Sequence, residues 1–286
     1  MRREVTIRKL ETIEDLKGMQ EIQRSIWSEG VIPLHQTMTV NLNGGLIIGA
    51  FHEEKIIGFS YGFPGFQNQN VYLCSHVLGI HPDYQRQGIG SLLKQAQKEM
   101  AIKLGYTSIT WTYDPLESVN GYLNLSKLGA ICSTYVENCY GKMEDTLNYG
   151  MPTDRFKVEW HVRSSYVNNR IDWNKRLDNP VMIANYEKLA SGQPMLTDQM
   201  LFDEQTIQQQ EQVLIPCPTH IQQLKQADFS LALDWRMKVR KAFQMLFGNG
   251  FAAVHIQKTD TPVHYYLAVK QASLPLQHES EESICN

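Results

Sequence analysis

A glycine turn between a buried strand and a helix constrains this chain more than any other feature. The stretch VLGIHPDYQRQGIGSLL, residues 77–93, runs from apolar residues through Pro82 into a helical pattern, with Gly88 and Gly90 at the junction. The first turn of a helix exposes unpaired N–H groups and carries partial positive charge, so it attracts an anion. Glycine lets that anion approach the backbone without meeting a Cβ atom. The turn therefore predicts a phosphate-binding loop.

Two common phosphate-binding motifs do not fit this turn. A Walker loop requires a lysine directly after its last glycine, and no lysine follows Gly90 at that spacing. A dinucleotide fingerprint requires a third glycine where Leu93 stands, and Leu93 is expected to pack. The remaining pattern is Q-x-x-G-x-G, which begins at Gln85.

Hydrophobic periodicity predicts strands and helices on both sides of the turn. A strand in EVTIRKL precedes a helix that Thr12 caps, and the helix after the turn should bury Leu93, Ala96, Met100 and Leu104. The other predicted elements of this half are strands at 46–51, 55–63 and 71–80, a strand in TSITWTY, a helix at 120–127, and strands at 131–140 and 155–162. The order strand, helix, strand around the turn favours a locally parallel sheet.

The patterns change after residue 163. They weaken up to residue 212 and then resume as a strand, helices and two strands, an order that repeats that of the first sixty residues. We therefore expect one domain at 1–163, an irregular connection at 164–212, a C-terminal α/β domain at 213–275 and a flexible tail at 276–286. A repeat of half the first domain is one interpretation of the C-terminal domain.

Composition narrows the classes of function. The chain has 286 residues, a formal charge of −3 and no large basic patch, which disfavours nucleic acid as a partner. Its apolar runs are shorter than the roughly 20 residues that span a bilayer, and the start does not look like a signal peptide, so we expect a cytoplasmic protein without a membrane partner. The five cysteines and nine histidines are scattered, which predicts neither a disulfide framework nor a bound metal.

The glycine turn and its surroundings resemble the GCN5-related N-acetyltransferase (GNAT) superfamily. Its pyrophosphate motif is written [QR]-x-x-G-x-[GA], and the match includes a strand that ends in a hydrophobic residue, Ile80, followed by x-Pro. The flanking elements follow the order of that superfamily over residues 4–163. The stretches WTYDPLESVNGYLNLSKLGA and YGKMEDTLNYGMPTDRFKVEW resemble a bacterial branch with an extra C-terminal domain. The resemblance implies an α/β (α+β) fold, with a GNAT-type mixed central sheet flanked by helices and a second, smaller α/β domain.

The resemblance also implies acetyl-CoA as co-substrate, without a metal. In the superfamily the acyl-CoA lies where the fourth and fifth strands part, and a bulge on the fourth strand frees an N–H for the thioester carbonyl. Here the backbone of Leu78, Gly79 and Ile80 would hold the pantetheine and the acyl oxygen, where a fixed donor stabilises developing charge. The diphosphate is expected to be held by Gln85, Arg86, Gln87, Gly88, Ile89, Gly90 and Ser91. Asn120, in the helix after the next strand, is expected to bind the coenzyme as well.

Candidates for proton transfer follow from the same resemblance. Many relatives use a tyrosine four residues before the glycine that ends the helix, where this chain has Leu125. Tyr122, one turn earlier, is the candidate that replaces it, and packing is the alternative role. Asp114 and Glu117 are candidate bases, with a turn or capping role as the alternative for each. His76 on the fourth strand is a third candidate.

Asn148, Asp154 and Arg155 are the predicted acceptor-binding residues. The alternative is that Asp154 and Arg155 organise the junction with the second domain. We expect an acyl-CoA-dependent N-acyltransferase, a monomer or homodimer, that transfers acetyl to a small-molecule amine by direct attack in a ternary complex. The alternatives are a CoA-binding sensor or assembly module without catalysis, and a protein N-acetyltransferase.

Overall fold

The computed structural model describes residues 4–27, 30–143, 145, 148–197 and 203–277. The chain divides into two compact units, residues 1–111 and 112–286. The sequence patterns placed the first domain boundary near residue 163, whereas this division falls within the strand that follows the glycine-turn helix. Most of the predicted tail, from residue 278 onward and including Cys285, lies outside the described residues.

The first unit alternates helices with antiparallel strands. Its elements are β1 (Thr6–Lys9), α1 (Ile13–Ile26), α2 (Leu34–Leu42), β2 (Leu46–His52), β3 (Lys55–Gln67), β4 (Asn70–Ile80), a 3₁₀ turn (Pro82–Tyr84), α3 (Ile89–Lys103) and the start of β5 (Ile109–Tyr113). Helix α1 begins where predicted, because Thr12 and Asp15 form a capping box. Helix α2 was not predicted.

The strands of the first unit are neighbours in chain order, from β1 to β5. The pairs from β1 to β4 are antiparallel, and β4 and β5 are parallel, as the strand, helix, strand order predicted. The predicted hairpin at 46–63 is confirmed as β2 and β3. A hydrophobic core of α1 and strand residues supports this sheet and includes Leu16, Met19, Phe59 and Tyr61.

The second unit combines strands with one long helix, α8, of 20 residues. It contains the end of β5, α4 (Ser118–Gly121), a π-helix (Tyr122–Lys127), β6 (Ile131–Val136), β7 (Arg155–Trp160), α5 (Ser165–Asn168), a 3₁₀ turn (Trp173–Lys175), β8 (Val181–Met182), β9 (Tyr186–Lys188), β10 (Pro194–Leu196), α6 (Glu204–Gln208), β11 (Gln212–Pro218), α7 (Ile221–Ala227), α8 (Phe229–Gly248), β12 (Phe251–Gln257), β13 (Val263–Lys270) and a 3₁₀ turn (Gln271–Ser273).

An aromatic core holds the second unit together. Its strands lie in the order β7, β6, β12, β13, β11, β8, and β9 and β10 form a separate hairpin. The ring of Phe156 on β7 lies 4.6 Å from that of Phe243 on α8 and 5.6 Å from that of Tyr266 on β13. Such edge-to-face contacts stabilise beyond the area they bury, and they fix α8 against its sheet.

The pairing within the second unit does not repeat that of the first. The element order β11, α7, α8, β12, β13 matches β1, α1, α2, β2, β3, as the sequence indicated. However, β1 pairs with the first strand of its hairpin, whereas β11 pairs with the second. The two units therefore share an order of elements but differ in which strand of the hairpin the first strand pairs with.

Mixed α/β architecture with an additional C-terminal region is therefore confirmed, with most predicted elements near their expected positions. Within the described part of the chain, no helix combines the length and the apolar character needed to cross a membrane.

Candidate functional site

Strand β4 carries a bulge at its centre. Tyr61 pairs with Val77 and Gly62 with Ser75, so His76 is an extra residue on β4. The imidazole of His76 lies 5.7 Å from the Phe63 ring, and partial burial lowers its pKa. Such bulges are frequent beside active sites because they redirect a strand and its side chains.

Strands β4 and β5 form a short ladder. Among the described residues, the parallel pairs are Leu73 with Ile109 and Cys74 with Thr110. The rest of β4 continues along β3 to the pairs of Leu78, Gly79 and Ile80 with that strand. Over residues 75–80, the edge of β4 that faces away from β3 therefore lies outside the described β4–β5 ladder. This is the stretch where the resemblance places the pantetheine.

The segment 85–91, called the amide loop below, has two residues in the left-handed region. Arg86 has φ +60° and Gly88 has φ +84°. A Cβ atom added to Gly88 would meet no atom within 4 Å, so the space above it is open, although any other residue would pay for the positive φ. Alternation of left-handed and other residues turns successive N–H groups to one side and forms an anion-binding concavity.

Hydrogen bonding leaves most of the amide loop's N–H groups available. The N–H of Gln85 donates to Pro82 O at 3.3 Å and that of Ser91 to Gly88 O at 3.1 Å, so these two predicted donors are engaged within the protein. Among the described residues, no partner is found for the N–H groups of 86–90. The side chain of Gln87 braces the loop by donating to Asp83 O at 3.1 Å. Five amides at the start of α3 can therefore receive an anion.

Helix α3 also buries a lysine that the sequence analysis missed. Lys94 Nζ donates to Ser75 Oγ on β4 at 2.8 Å and to Gln97 Oε1 at 3.3 Å, and it lies 3.8 Å from the centre of the Trp111 indole. Burial lowers the pKa of Lys94 to about 7. The apolar spacing predicted Leu93, Ala96, Met100 and Leu104 as the packed face, but Leu104 is exposed and Lys94 and Gln97 are buried.

A cavity of about 280 Å³ in the second unit, called the polar cavity below, brings several predicted site residues together. Its charged residues are Asp114, Glu117 and Arg155, and its other lining residues are Thr112, Tyr113, Asn120, Asn148 and Gln222. Its residues come from the end of β5, the segment that follows it, helix α4, the loop before β7, the start of β7 and the start of α7. Contacts over more than 100 residues of sequence create this grouping, which the sequence patterns alone did not predict.

The two candidate bases have different surroundings. Asp114 Oδ1 accepts the Leu116 N–H at 2.8 Å, a contact typical of a turn residue, and Oδ2 forms an ion pair with Arg236. Glu117 Oε1 accepts a hydrogen bond from Gln222 Nε2 at 2.6 Å. Asp114 is thus committed to a buried arginine, whereas Glu117 has a neutral partner.

Arg155 and Asp154 face different partners, although they are adjacent. Arg155 donates to Asn148 Oδ1 at 2.8 Å and lines the polar cavity. Asp154 is fully buried and accepts hydrogen bonds from Tyr135 Oη at 2.7 Å and from two nitrogens of Arg240 at 2.7 and 2.8 Å. Burial alone would raise the pKa of Asp154, but the Arg240 hydrogen bonds outweigh it and lower the pKa. All these hydrogen bonds engage the Asp154 carboxylate within the protein.

Tyr122 lies away from the other candidates of the second unit. It lines a larger cavity of about 420 Å³ together with Leu125, and Lys258 Nζ lies 3.7 Å from the centre of its ring. Asn120, two residues earlier, lines the polar cavity instead. Residues two apart on a helix point in nearly opposite directions, so Tyr122 and Asn120 do not share a site.

The fold is that of an α/β protein in which the amide loop lies between a bulged strand and a helix. Residues 16–122 match the model of the Acetyltransferase (GNAT) family. The chain therefore carries a GNAT-family domain, which confirms the resemblance read from the glycine turn.

Comparison with solved structures found several acetyltransferases. The ribosomal-protein-S18-alanine N-acetyltransferase from Escherichia coli is 20% identical, with 56% of this chain and 94% of that chain covered and a TM-score of 0.45. The structure of yncA from Salmonella typhimurium with its cofactor acetyl-CoA is 16% identical, with 56% and 94% covered and a TM-score of 0.45. An aminoglycoside acetyltransferase from an uncultured soil metagenomic sample is 15% identical, with 41% and 81% covered and a TM-score of 0.36. A comparison with curated protein sequences found no match.

Proposed function

We propose that this chain is an acyl-CoA-dependent N-acyltransferase that transfers acetyl from acetyl-CoA to the amine of a small molecule. The observation that carries this proposal is the set of amides at 86–90 without a partner in the described chain, at the start of α3 and within a GNAT-family domain. Such a cradle suits a diphosphate, because several N–H groups and the helix dipole act on the same anion.

Bound acetyl-CoA would supply a thioester as acyl donor. The chain's own contribution would be to hold the diphosphate on the amide loop and to direct an N–H of β4, beyond the bulge at His76, toward the thioester carbonyl. A fixed donor at that oxygen lowers the barrier because negative charge develops there when an amine attacks. The amine nitrogen would then bond to the carbonyl carbon as the carbon–sulfur bond breaks, and the coenzyme would leave as a thiolate that takes a proton from water.

The polar cavity is the proposed acceptor pocket. Its volume of about 280 Å³ suits a small molecule. We propose that Glu117 receives the proton of the amine directly or through water, because Asp114 is held by Arg236. Asn148 and Arg155 would orient the acceptor, whereas Asp154 and Tyr122 lie elsewhere and are not carried into this mechanism.

Two matched glycine variants test the coenzyme site. Gly88→Glu and Gly105→Glu both place a glutamate at a positive φ, +84° and +92°, in space that is open within 4 Å, at opposite ends of α3. Backbone strain is therefore similar, about 1–2 kcal/mol for each. Only the variant at 88 brings a carboxylate to the amide loop, so we expect its affinity for acetyl-CoA in isothermal titration calorimetry to fall about 10-fold or more.

Wild-type affinity for acetyl-CoA should persist in Gly105→Glu. Equal binding by the two variants would remove the amide loop from the coenzyme site. Catalysis is tested by thiol release from acetyl-CoA across a panel of amines, with Glu117→Gln compared with Glu99→Gln, a change on the exposed side of α3. We expect kcat to fall about 100-fold for the first variant and to stay unchanged for the second.

One observation favours the alternative of a CoA-binding module without catalysis. Leu125 stands where many relatives have a tyrosine and is only 2% exposed, so the usual acid is replaced by a packed apolar side chain. If acetyl-CoA binds tightly and no amine of the panel releases thiol, this alternative holds and the acyltransferase proposal fails.

A further inference from the structure

We infer that the cavity beside Tyr122 binds a small organic anion that carries a planar ring. This aromatic cavity, as it is called below, is formed by the π-helix Tyr122–Lys127, by β12 and by residues 166–174. Its volume of about 420 Å³ is within the range of small-molecule sites. All its lining residues belong to the second unit, and none is part of the amide loop.

Charge is the first argument for an anionic ligand. Lys127, Arg170 and Lys258 line the aromatic cavity, and among the described residues none of them forms an ion pair. The one carboxylate of the lining, Asp172, is paired with Lys175 at 3.5 Å. Three cations around one cavity repel each other, and an anion bound among them would relieve that repulsion.

Flat walls are the second argument and indicate a planar ring. Trp173 is 9% exposed, and its Nε1 donates to Tyr166 Oη at 3.3 Å, so the indole is held in place. Tyr122 contributes a second ring, over which Lys258 lies. A planar ligand ring can pack against such aromatic side chains at little entropic cost where they are held in place before it binds, as Trp173 is.

His255 gives the cavity a neutral polar group. It is 7% exposed, its Nε2 lies 3.2 Å from Asn174 Oδ1, and burial lowers its pKa, which favours the neutral form of the ring. A neutral imidazole can exchange hydrogen bonds with ring nitrogens or hydroxyl groups of a ligand. The positive charge of the cavity thus comes from its lysines and arginine, while the interior offers hydrogen bonds.

The backbone around the cavity is unusual at two places. A π-helix forms one wall and is fixed to β12 by Ser126 Oγ, which accepts the Ile256 N–H at 2.9 Å. Arg170 has φ +39°, in the left-handed region that a side chain with a Cβ disfavours. π-Helical turns and strained residues concentrate at ligand sites, because binding there compensates their cost.

Calorimetric titration of the full chain with two pairs of probes tests the inference. The pairs are 2-naphthoate with 2-naphthamide, and adenosine 5′-monophosphate with adenosine. In each pair the ring is kept and the charge is removed. We expect at least one anion to bind about 10-fold more tightly than its neutral partner, with an affinity that falls as salt rises. The pair that responds tells whether a carboxylate or a phosphate is preferred.

Three variants localise the binding. Lys258→Gln and Arg170→Gly should each weaken the anion about 10-fold or more, and glycine at 170 also removes the strain of the positive φ. Lys270→Gln is the control, since Lys270 also lies over a ring, that of Phe251 at 4.0 Å, outside the cavity. The affinity of Lys270→Gln for the anion should equal that of the wild type.

The inference is independent of the coenzyme site, so Gly88→Glu should bind the anion like the wild type. It is overturned if neither anion binds below about 1 mM, if neutral and charged probes bind equally, or if Lys258→Gln and Arg170→Gly retain wild-type affinity.

Discussion

Replacing Lys94 by methionine should change how the stability of the protein depends on pH. Lys94 is 6% exposed and has a pKa of about 7 in the folded chain, against an ordinary value of 10.5 that we take for the unfolded chain. Between these two pH values the unfolded chain binds more protons than the folded one, so stability increases with rising pH. Below pH 7 the full cost of burying the lysine applies.

The magnitude follows from the two pKa values. The gap between 10.5 and about 7 corresponds to about 5 kcal/mol, at roughly 1.4 kcal/mol per pKa unit. Between pH 7 and pH 9 the wild type should regain about 2 kcal/mol of this cost. Methionine cannot be protonated, so its burial does not depend on pH. The variant also lacks the hydrogen bonds of Lys94 to Ser75 and Gln97, which costs about 1 kcal/mol for each bond at every pH.

Urea unfolding monitored by circular dichroism at pH 6, 7, 8 and 9 provides the measurement. The free energy of unfolding of Lys94→Met minus that of the wild type should be largest at pH 6 to 7 and should decrease by about 2 kcal/mol toward pH 9. Lys103→Met, in the last turn of the same helix, is the control and should give a difference that does not vary with pH.

A difference that stays constant from pH 6 to pH 9 for Lys94→Met would refute this reasoning. It would mean that Lys94 keeps its charge in the folded protein, and that hydrogen bonds and the Trp111 ring compensate for its burial.

Two further substitutions test the packing of the second unit. Asp154→Asn should lower the free energy of unfolding by about 3–5 kcal/mol at neutral pH, because it leaves Arg240 without its buried carboxylate partner. The control Asp234→Asn breaks an ion pair on the surface of α8 and should lower it by about 0.5 kcal/mol or less. Denaturant unfolding measures both variants, and equal effects would contradict the buried ion pair. Gly121→Ala should lower the free energy of unfolding by about 1–3 kcal/mol, because the added Cβ atom would overlap with side chains of β12 and β13. In Gly248→Ala the added Cβ atom meets no atom within 4 Å, so this variant should stabilise α8 by up to about 1 kcal/mol. Thermal melts that fail to separate the two variants would contradict this packing.

Local signals in the sequence predicted the elements that surround the amide loop. The hairpin of β2 and β3, strand β4 and the start of α3 follow from alternation, a capping residue and a glycine at positive φ, all of which act within a few residues. Helix α2 was missed because it buries only Thr37 and lacks a side-chain cap, so neither periodicity nor capping marks it.

Long-range partners were beyond reach of the sequence. The ion pair of Asp114 with Arg236 joins residues 122 positions apart, and no local pattern shows which arginine a carboxylate will meet. The buried face of α3 was misjudged for a related reason. Lys94 and Gln97 look like surface residues by type, and only the hydroxyl groups of Ser75 and Ser60 on neighbouring strands make their burial tolerable.

Recognition of an anion through main-chain amides would leave exposed side chains of the amide loop, such as that of Arg86, free to vary. Arg86 would offer its N–H group whatever its side chain is, so relatives with a different residue at this position could keep the same affinity for coenzyme. Sequence searches weighted on side-chain identity would then undervalue such relatives. A fluorophore attached through a cysteine at position 86 would sit beside the ligand without removing an amide, and its emission could report occupancy during turnover.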